Sequence, residues 1–271
     1  MLHAIDRERT VFMETRVHPS AIIESGAELA EEVSVGPYAY IGPDVAVGRG
    51  CKIGHHATVT GPTTMGEGNT VFPYACIGER TQDLKYTGGR PGTTIGDRNT
   101  FREFSTIHAA TNDGDRTVVG SDNHFLAYTH IAHDCRVGNH VIISNNGTLA
   151  GHVTLEDRVV IGGLTAVHQF CRIGRFAMLG GCGKVVQDVP PFMIADGSPA
   201  TVRTINKVGM ERGGFTAEEV NLARRCFKLL YREGLNRGQA LDQLREMQGK
   251  EPSEIVEAMI VFIERSKRGL V

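Results

Sequence analysis

The sequence predicts a mainly β fold, a parallel β-helix of hexapeptide repeats followed by a small α-helical segment, and three observations carry that prediction. Every sixth residue from Val17 to Val185 gives 29 positions, of which 26 are Val, Ile, Leu, Met or Phe; Asp83, Gly89 and Asp113 are the exceptions. At 41% hydrophobic content chance fills about 12 of them, so the six-residue period dominates the chain. Gly accounts for 33 of 271 residues and Trp is absent, which suits closely stacked backbone better than an aromatic core. After Pro190 and Pro191 the period ends and helical spacing replaces it.

Residues 1–16 form an extension ahead of the first hexad, and residues 17–197 form the solenoid. Each hexad supplies one large inward side chain and, at its fifth position, a small one: Ala21, Ala27, Ala39, Cys51, Ala57, Cys135, Cys171 and Ala177 are examples. Gly often follows the aliphatic residue (Gly36, Gly42, Gly48, Gly54, Gly162, Gly174), as expected where the chain bends without a Cβ penalty. Three hexads make a triangular coil of 18 residues, and coils stack at about 4.8 Å, so residues 18 apart lie one above another. The period lapses at 79–94 and 109–117 and resumes in phase, which marks two extruded loops, the usual carriers of function. In residues 198–271, Thr216 and Glu219 form a capping box for a helix containing Val220, Ala223, Phe227 and Leu230, which Gly234 stops. Two further helices follow at 237–247 and 253–265, the latter with Ile255, Met259, Ile260 and Ile263 on one face.

Composition removes several functions. Lys plus Arg is 29 against 31 for Asp plus Glu, a net charge of -2, which leaves no electrostatic footprint for nucleic acid. No run reaches the ~18 apolar residues of a membrane span, and the charged N-terminus is unlike a signal region, so a soluble cytoplasmic protein is expected. The six cysteines contain no CxxC pair and are expected to be reduced. There is no P-loop and no dinucleotide fingerprint.

Chemistry gathers in one place. Stacking by 18 puts His133, Gly151 and Gln169 in one column, Asp134 and His152 in the next, and His168 beside Gln169, with His130 close by. Exposed His at solenoid turns need no function singly, but together with a carboxylate and an amide they suit a general-base site, and Gly151 lets a backbone N–H approach an oxyanion. Three His also suit a catalytic zinc, as in a carbonic anhydrase on the same kind of prism, although His168 is displaced from His133 and His152. A catalytically silent scaffold is the non-enzymatic alternative. Cys135 and Cys171 point inward, so no nucleophile motif is present and direct transfer without a covalent enzyme intermediate is expected.

Long strings of the chain resemble the bacterial UDP-N-acetylglucosamine 3-O-acyltransferases that begin lipid A synthesis: Gln82-Asp83-Leu84-Lys85-Tyr86, Thr106-Ile107-His108, His130-Ile131-Ala132-His133-Asp134-Cys135, Leu149-Ala150-Gly151-His152-Val153, Gly162 to Phe170, and Gln187-Asp188-Val189-Pro190-Pro191. The resemblance implies a left-handed β-helix, against the usual crossover hand, and a homotrimer with active sites between prisms. It implies transfer of a 3-hydroxyacyl chain from acyl carrier protein to the 3-hydroxyl of UDP-N-acetylglucosamine, the carrier thioester being a co-substrate, with no cofactor and no metal. His133 then resembles the general base, Asp134 its supporting carboxylate and Gly151 the oxyanion donor. Gln82, Asp83, Lys85, His130, His152, His168 and Gln169 resemble residues that hold sugar and acyl groups, and Asn206 and Arg212 a pair that meets the nucleotide. Gly181, with Met178 nearby, matches the position that limits acyl length, and its lack of a side chain implies a longer chain. Two departures stand out: Glu211-Arg212-Gly213 keeps one Arg where the family often has two, and Ser198 replaces a common Asn. The related N-acyltransferases carry an added N-terminal uridine-binding domain for which residues 1–16 leave no room, which favours O-transfer.

Overall fold

The computed structural model describes residues 15–271; the expected extension at 1–16 lies almost wholly outside them. Twenty-six short strands, from Arg16–Val17 to Lys184–Val185, wind into a left-handed parallel β-helix of triangular section. Three parallel sheets form its faces. The first begins at Arg16–Val17, the second at Ile22–Ile23 and the third at Glu28–Leu29. Registers repeat at 18 residues, as in Arg16↔Ser34 and His130↔Thr148. Across the two lapses the offsets become 30 (Thr70↔Thr100) and 24 (Thr106↔His130). The excess of 12 and then 6 residues is a whole number of hexads, which explains why the phase survives both loops.

The aliphatic column fills the prism: Ile41, Ile77, Phe101, Ile107, Phe125, Ile131, Ile143, Leu149 and Ile161 are fully buried. Each such side chain contributes about 1.5–3 kcal/mol. Cys51, Cys135 and Cys171 sit in the small inward column and are free and buried.

The glycines that follow the aliphatic residues have a different cause from the bend expected of them. Gly36, Gly48 and Gly162 do not have left-handed φ; a Cβ there would meet backbone of the next coil at 2.8 Å or less. The left-handed corners are occupied by ordinary residues instead, among them Tyr38 (φ 57), Tyr74 (63), Asp134 (60), His152 (61) and Phe170 (66). Spacing between coils, not chain reversal, selects these glycines.

Beyond the solenoid, Met193–Gly197 joins the first sheet and turns back into an antiparallel strand, Ala200–Ile205. The segment from 198 onward, expected to be helical, therefore begins as a hairpin, whose register shifts between Ile194 and Ala195. Four helices follow: α1 (Lys207–Arg212), α2 (Ala217–Tyr231), α3 (Arg237–Lys250) and α4 (Glu254–Arg265). The Thr216–Glu219 capping box starts α2 as predicted, and an Asn236–Gln239 box starts α3. The short α1 was not predicted. Among the described residues no helix is long and apolar enough to cross a membrane.

Candidate active site

The prism has three edges. Both loops, residues 80–91 and 109–115, leave the chain between the second and third sheets, and the same edge carries His133, Asp134, Gly151, His152, His168 and Gln169. At its centre His133 Nδ1 lies 2.8 Å from Asp134 Oδ2. An ionised carboxylate only accepts, so Nδ1 holds the proton and the lone pair stands on Nε2. Asp134 is fixed in turn: its N–H donates to the Thr117 hydroxyl (2.9 Å), and its Oδ2 faces His152 Nε2 at 3.7 Å. The His152 ring is perpendicular to that of His133 and stacks on Phe170.

Gly151 faces His133 from the next coil, as the 18-residue arithmetic predicts. A Cβ on Gly151 would lie 2.5 Å from His133 Nε2, so no other residue leaves room for the ring. Its N–H has no hydrogen-bond partner among the described residues, leaving a donor beside the base.

Threonines missed by the sequence reading complete the surroundings. Thr111 Oγ1 stands 3.1 Å from His133 Nδ1 and 3.1 Å from Thr81 Oγ1, which ties both loops to the base. Thr81 and Thr111 fall where the period lapses, so no column arithmetic could locate them. His130 contacts Thr106 Oγ1 at 2.7 Å and His108 edge-on. Burial, then His108 and His133, push the His130 imidazole down to about 4, and burial also lowers His108, so this cluster is neutral.

The remaining candidates divide. Gln82 and Lys85 are exposed on the first loop, while the Asp83 carboxylate accepts from the Lys85 N–H at 2.9 Å. Met178 lies on the first sheet and Gly181 at the edge between the first and second sheets. Asn206 and Arg212 lie near Phe176, at the edge between the third and first sheets. Asn206 is buried and committed to structure: its Oδ1 accepts from the Gly209 N–H, capping α1, and its Nδ2 donates to the Phe176 carbonyl. Arg212 is exposed. The Gly213 departure has a local cause, since a Cβ there would lie 2.9 Å from Phe176 Cζ. Within one prism, then, the residues ascribed to base, acyl chain and nucleotide occupy three different edges.

The three-histidine metal set weighed from the sequence does not converge. His133, Asp134 and His152 do, with ligand atoms within 4.8 Å of one another. Cysteine chemistry is remote: burial pushes the Cys135 thiol up to about 12 and that of Cys171 up to about 11.

A hexapeptide prism with a His–Asp pair and a free glycine N–H on one edge has the architecture of a hexapeptide-repeat acyltransferase. A family model described as bacterial transferase hexapeptide (six repeats) matches residues 26–61 and 116–151, and one described as Udp N-acetylglucosamine O-acyltransferase, domain 2, matches residues 188–271. The acyl-[acyl-carrier-protein]–UDP-N-acetylglucosamine O-acyltransferases of Paraburkholderia phymatum and Burkholderia orbicola are 46% and 47% identical over 260 residues, covering 95% of this chain and 99% of theirs. The UDP-N-acetylglucosamine acyltransferase structure from Francisella novicida aligns with a TM-score of 0.91 at 34% identity, covering 94% of this chain and 93% of that one. The corresponding Moraxella catarrhalis O-acyltransferase structure gives 0.90 at 39%, covering 94% and 99%. The chain belongs to the acyl-[acyl-carrier-protein]–UDP-N-acetylglucosamine O-acyltransferase family and is an acyltransferase.

Proposed function

We propose that the protein transfers a 3-hydroxyacyl group from acyl carrier protein to the 3-hydroxyl of UDP-N-acetylglucosamine, the step that begins lipid A synthesis, by general-base catalysis without a covalent enzyme intermediate. The observation that carries the reading is His133, held by Asp134 at Nδ1 with Nε2 over Gly151. Nε2 removes the proton of the sugar hydroxyl as its oxygen attacks the thioester carbonyl. The Gly151 N–H meets the oxyanion of the tetrahedral intermediate. Collapse then breaks the C–S bond, and the carrier thiolate takes the proton back from His133. General-base catalysis is worth roughly 10²–10⁴-fold, and one oxyanion donor roughly 10²–10³-fold.

The active unit is a homotrimer with its sites between prisms. Two features support this. Base, acyl and nucleotide residues sit on three edges of one prism, so a neighbour is needed to bring them together. In addition, Tyr38, His56, Tyr74, Phe104 and Tyr128 stack along the edge between the first and second sheets, and the four Tyr and Phe side chains in that stack are exposed, an apolar stripe suited to burial between subunits. Gly181 leaves space for a long acyl chain.

The test is acyl transfer from a panel of 3-hydroxyacyl carrier proteins to UDP-N-acetylglucosamine, with and without chelator. Transfer that survives chelation supports the reading. Loss on chelation moves the chemistry to a cation on His133, Asp134 and His152, and no transfer at any length overturns the substrate assignment.

A further inference from the structure

The catalytic edge is finished by the C-terminus, not by a hexad. Asp188 stands one coil above Arg172, in the column of Arg136 and Thr154, because the register shortens to 16 residues there (Ile173↔Val189), and its backbone pairs in parallel with Leu270. The Asp188 N–H donates to the Gly269 carbonyl (2.8 Å), the Val271 N–H donates to the Asp188 carbonyl (3.1 Å), and the Ser266 hydroxyl donates to Asp188 Oδ2 (2.7 Å). This docked tail carries Arg268 across 100 residues of sequence to His168: its guanidinium lies 3.4 Å from His168 Nδ1 and donates to the Val186 carbonyl at 3.3 Å. Arg265, Lys267 and Arg268 fall within four residues of the tail, and Lys184 lies on the strand just before Val186. All four cations are exposed, and none forms an ion pair among the described residues.

We propose that this tail is the docking edge for the acyl donor, with Arg268 receiving the phosphodiester that joins the pantetheine arm to its carrier protein; the inference rests on the acyl-carrier reading above. The thioester carbon must lie at His133 and Gly151. Towards the N-terminal end that position is enclosed by the two loops, whose Thr81 and Thr111 lead to the base, so the arm leaves towards the C-terminal end. Asp188 and the tail are three coils above His133, about 14 Å at the spacing of parallel strands, a separation on the scale of an extended pantetheine arm. A guanidinium suits a phosphate diester because its planar fork pairs with two oxygens. Arg268 also sets what His168 offers on the way. Nδ1 is 3.2 Å from the Gln169 carbonyl and cannot donate there while accepting from Arg268. With Arg268 donating, the proton is on Nε2, where it serves the amide carbonyls of the arm.

The test uses the full-length enzyme, Arg268→Gln and Arg268→Lys, and three donors with the same acyl chain: the carrier protein thioester, acyl-phosphopantetheine and acyl-pantetheine, which lacks the phosphate. For Arg268→Gln the expected result is a KM raised about tenfold for the two phosphate-bearing donors, as for loss of a charged hydrogen bond. KM for acyl-pantetheine rises less, by the His168 contribution alone, KM for the UDP-sugar stays unchanged, and Arg268→Lys recovers part of the phosphate-dependent loss. An equal rise for acyl-pantetheine, a rise only for the UDP-sugar, no change, or a lowered Tm with every KM raised alike overturns the proposal. Native enzyme that transfers from none of the donors overturns the acyl-carrier reading itself, whereas native transfer with a donor-independent variant overturns this inference alone.

Discussion

The two edges that flank the second sheet share one backbone and differ in every other respect. Both turn through left-handed corner residues at the same hexad position, yet one column reads Asp134, His152, Phe170 and the other Tyr38, His56, Tyr74, Phe104, Tyr128. On the first the loops emerge and polar groups converge on His133. On the second, rings stack at 4.9–5.1 Å and the surface is apolar. A solenoid makes its corners geometrically equivalent, so chemistry is assigned by which side chains stand at them and by where an insertion of whole hexads is tolerated.

Substitutions at the polar edge separate catalysis from folding most sharply. His133→Ala is expected to lower kcat by roughly 10²–10⁴-fold, the range for a lost general base, with an unchanged melting temperature; retention of more than a tenth of native activity would remove His133 from that role. Gly151→Ala comes next. Its methyl would occupy the place of the His133 ring, and a displacement on the order of 1 Å costs about 10²-fold in rate. Activity close to native would show that the ring is not needed where it stands.

Thr111→Val cuts the link from Thr81 to His133 while keeping shape. One such bond is worth about 1 kcal/mol, or about fivefold in kcat. A loss confined to KM for the UDP-sugar would instead make the link a substrate contact.

The sequence made the repeating parts legible and the exceptions less so. The 18-residue arithmetic placed His133 against Gly151 and Asp134 beside His152, because the coils are regular there. It could not reach Thr81 or Thr111, which lie in the lapses, nor Arg268, which arrives from the far end of the chain. The glycine column was visible, but its cause was misread: the period shows that a small residue recurs, not whether φ or the next coil requires it. The strand Ala200–Ile205 was hidden because it closes the solenoid by an antiparallel turn outside the hexad phase. Asn206 was found by resemblance, yet its side chain caps α1, a local role that only the geometry displays.

The polar edge also carries a pH signature. His130 is held near 4 by burial, next by His108 and then by His133, whereas an unfolded His titrates near 6.5. Between those values the unfolded chain binds a proton that the native state refuses, so stability falls as pH drops from about 6.5 towards about 4 and the loss is complete below that. Denaturant unfolding across this range should show the slope in the native protein and a shallower one in His130→Gln; equal slopes would assign it to other groups.

The smallest effect belongs to the aromatic edge. Phe104 stacks on Tyr74 and Tyr128 with interplanar angles of 4° and 6°, in the middle of the column. Phe104→Ala interrupts both stacks, and each aromatic pair is worth about 0.5–1.5 kcal/mol, less where water reaches the rings. With Phe104 still 44% exposed in the single chain, a loss of about 1 kcal/mol is expected at low protein concentration. If subunits cover this edge, the destabilisation must grow with protein concentration, because the rings bury further surface only in the assembly. kcat at saturating protein and substrate should remain native, since among the described residues no side chain of this stripe contacts the His133 pair within one chain. A concentration-independent loss would leave the stripe as intrachain packing, and a fall in kcat comparable with Gly151→Ala would show that the two edges are not chemically separate.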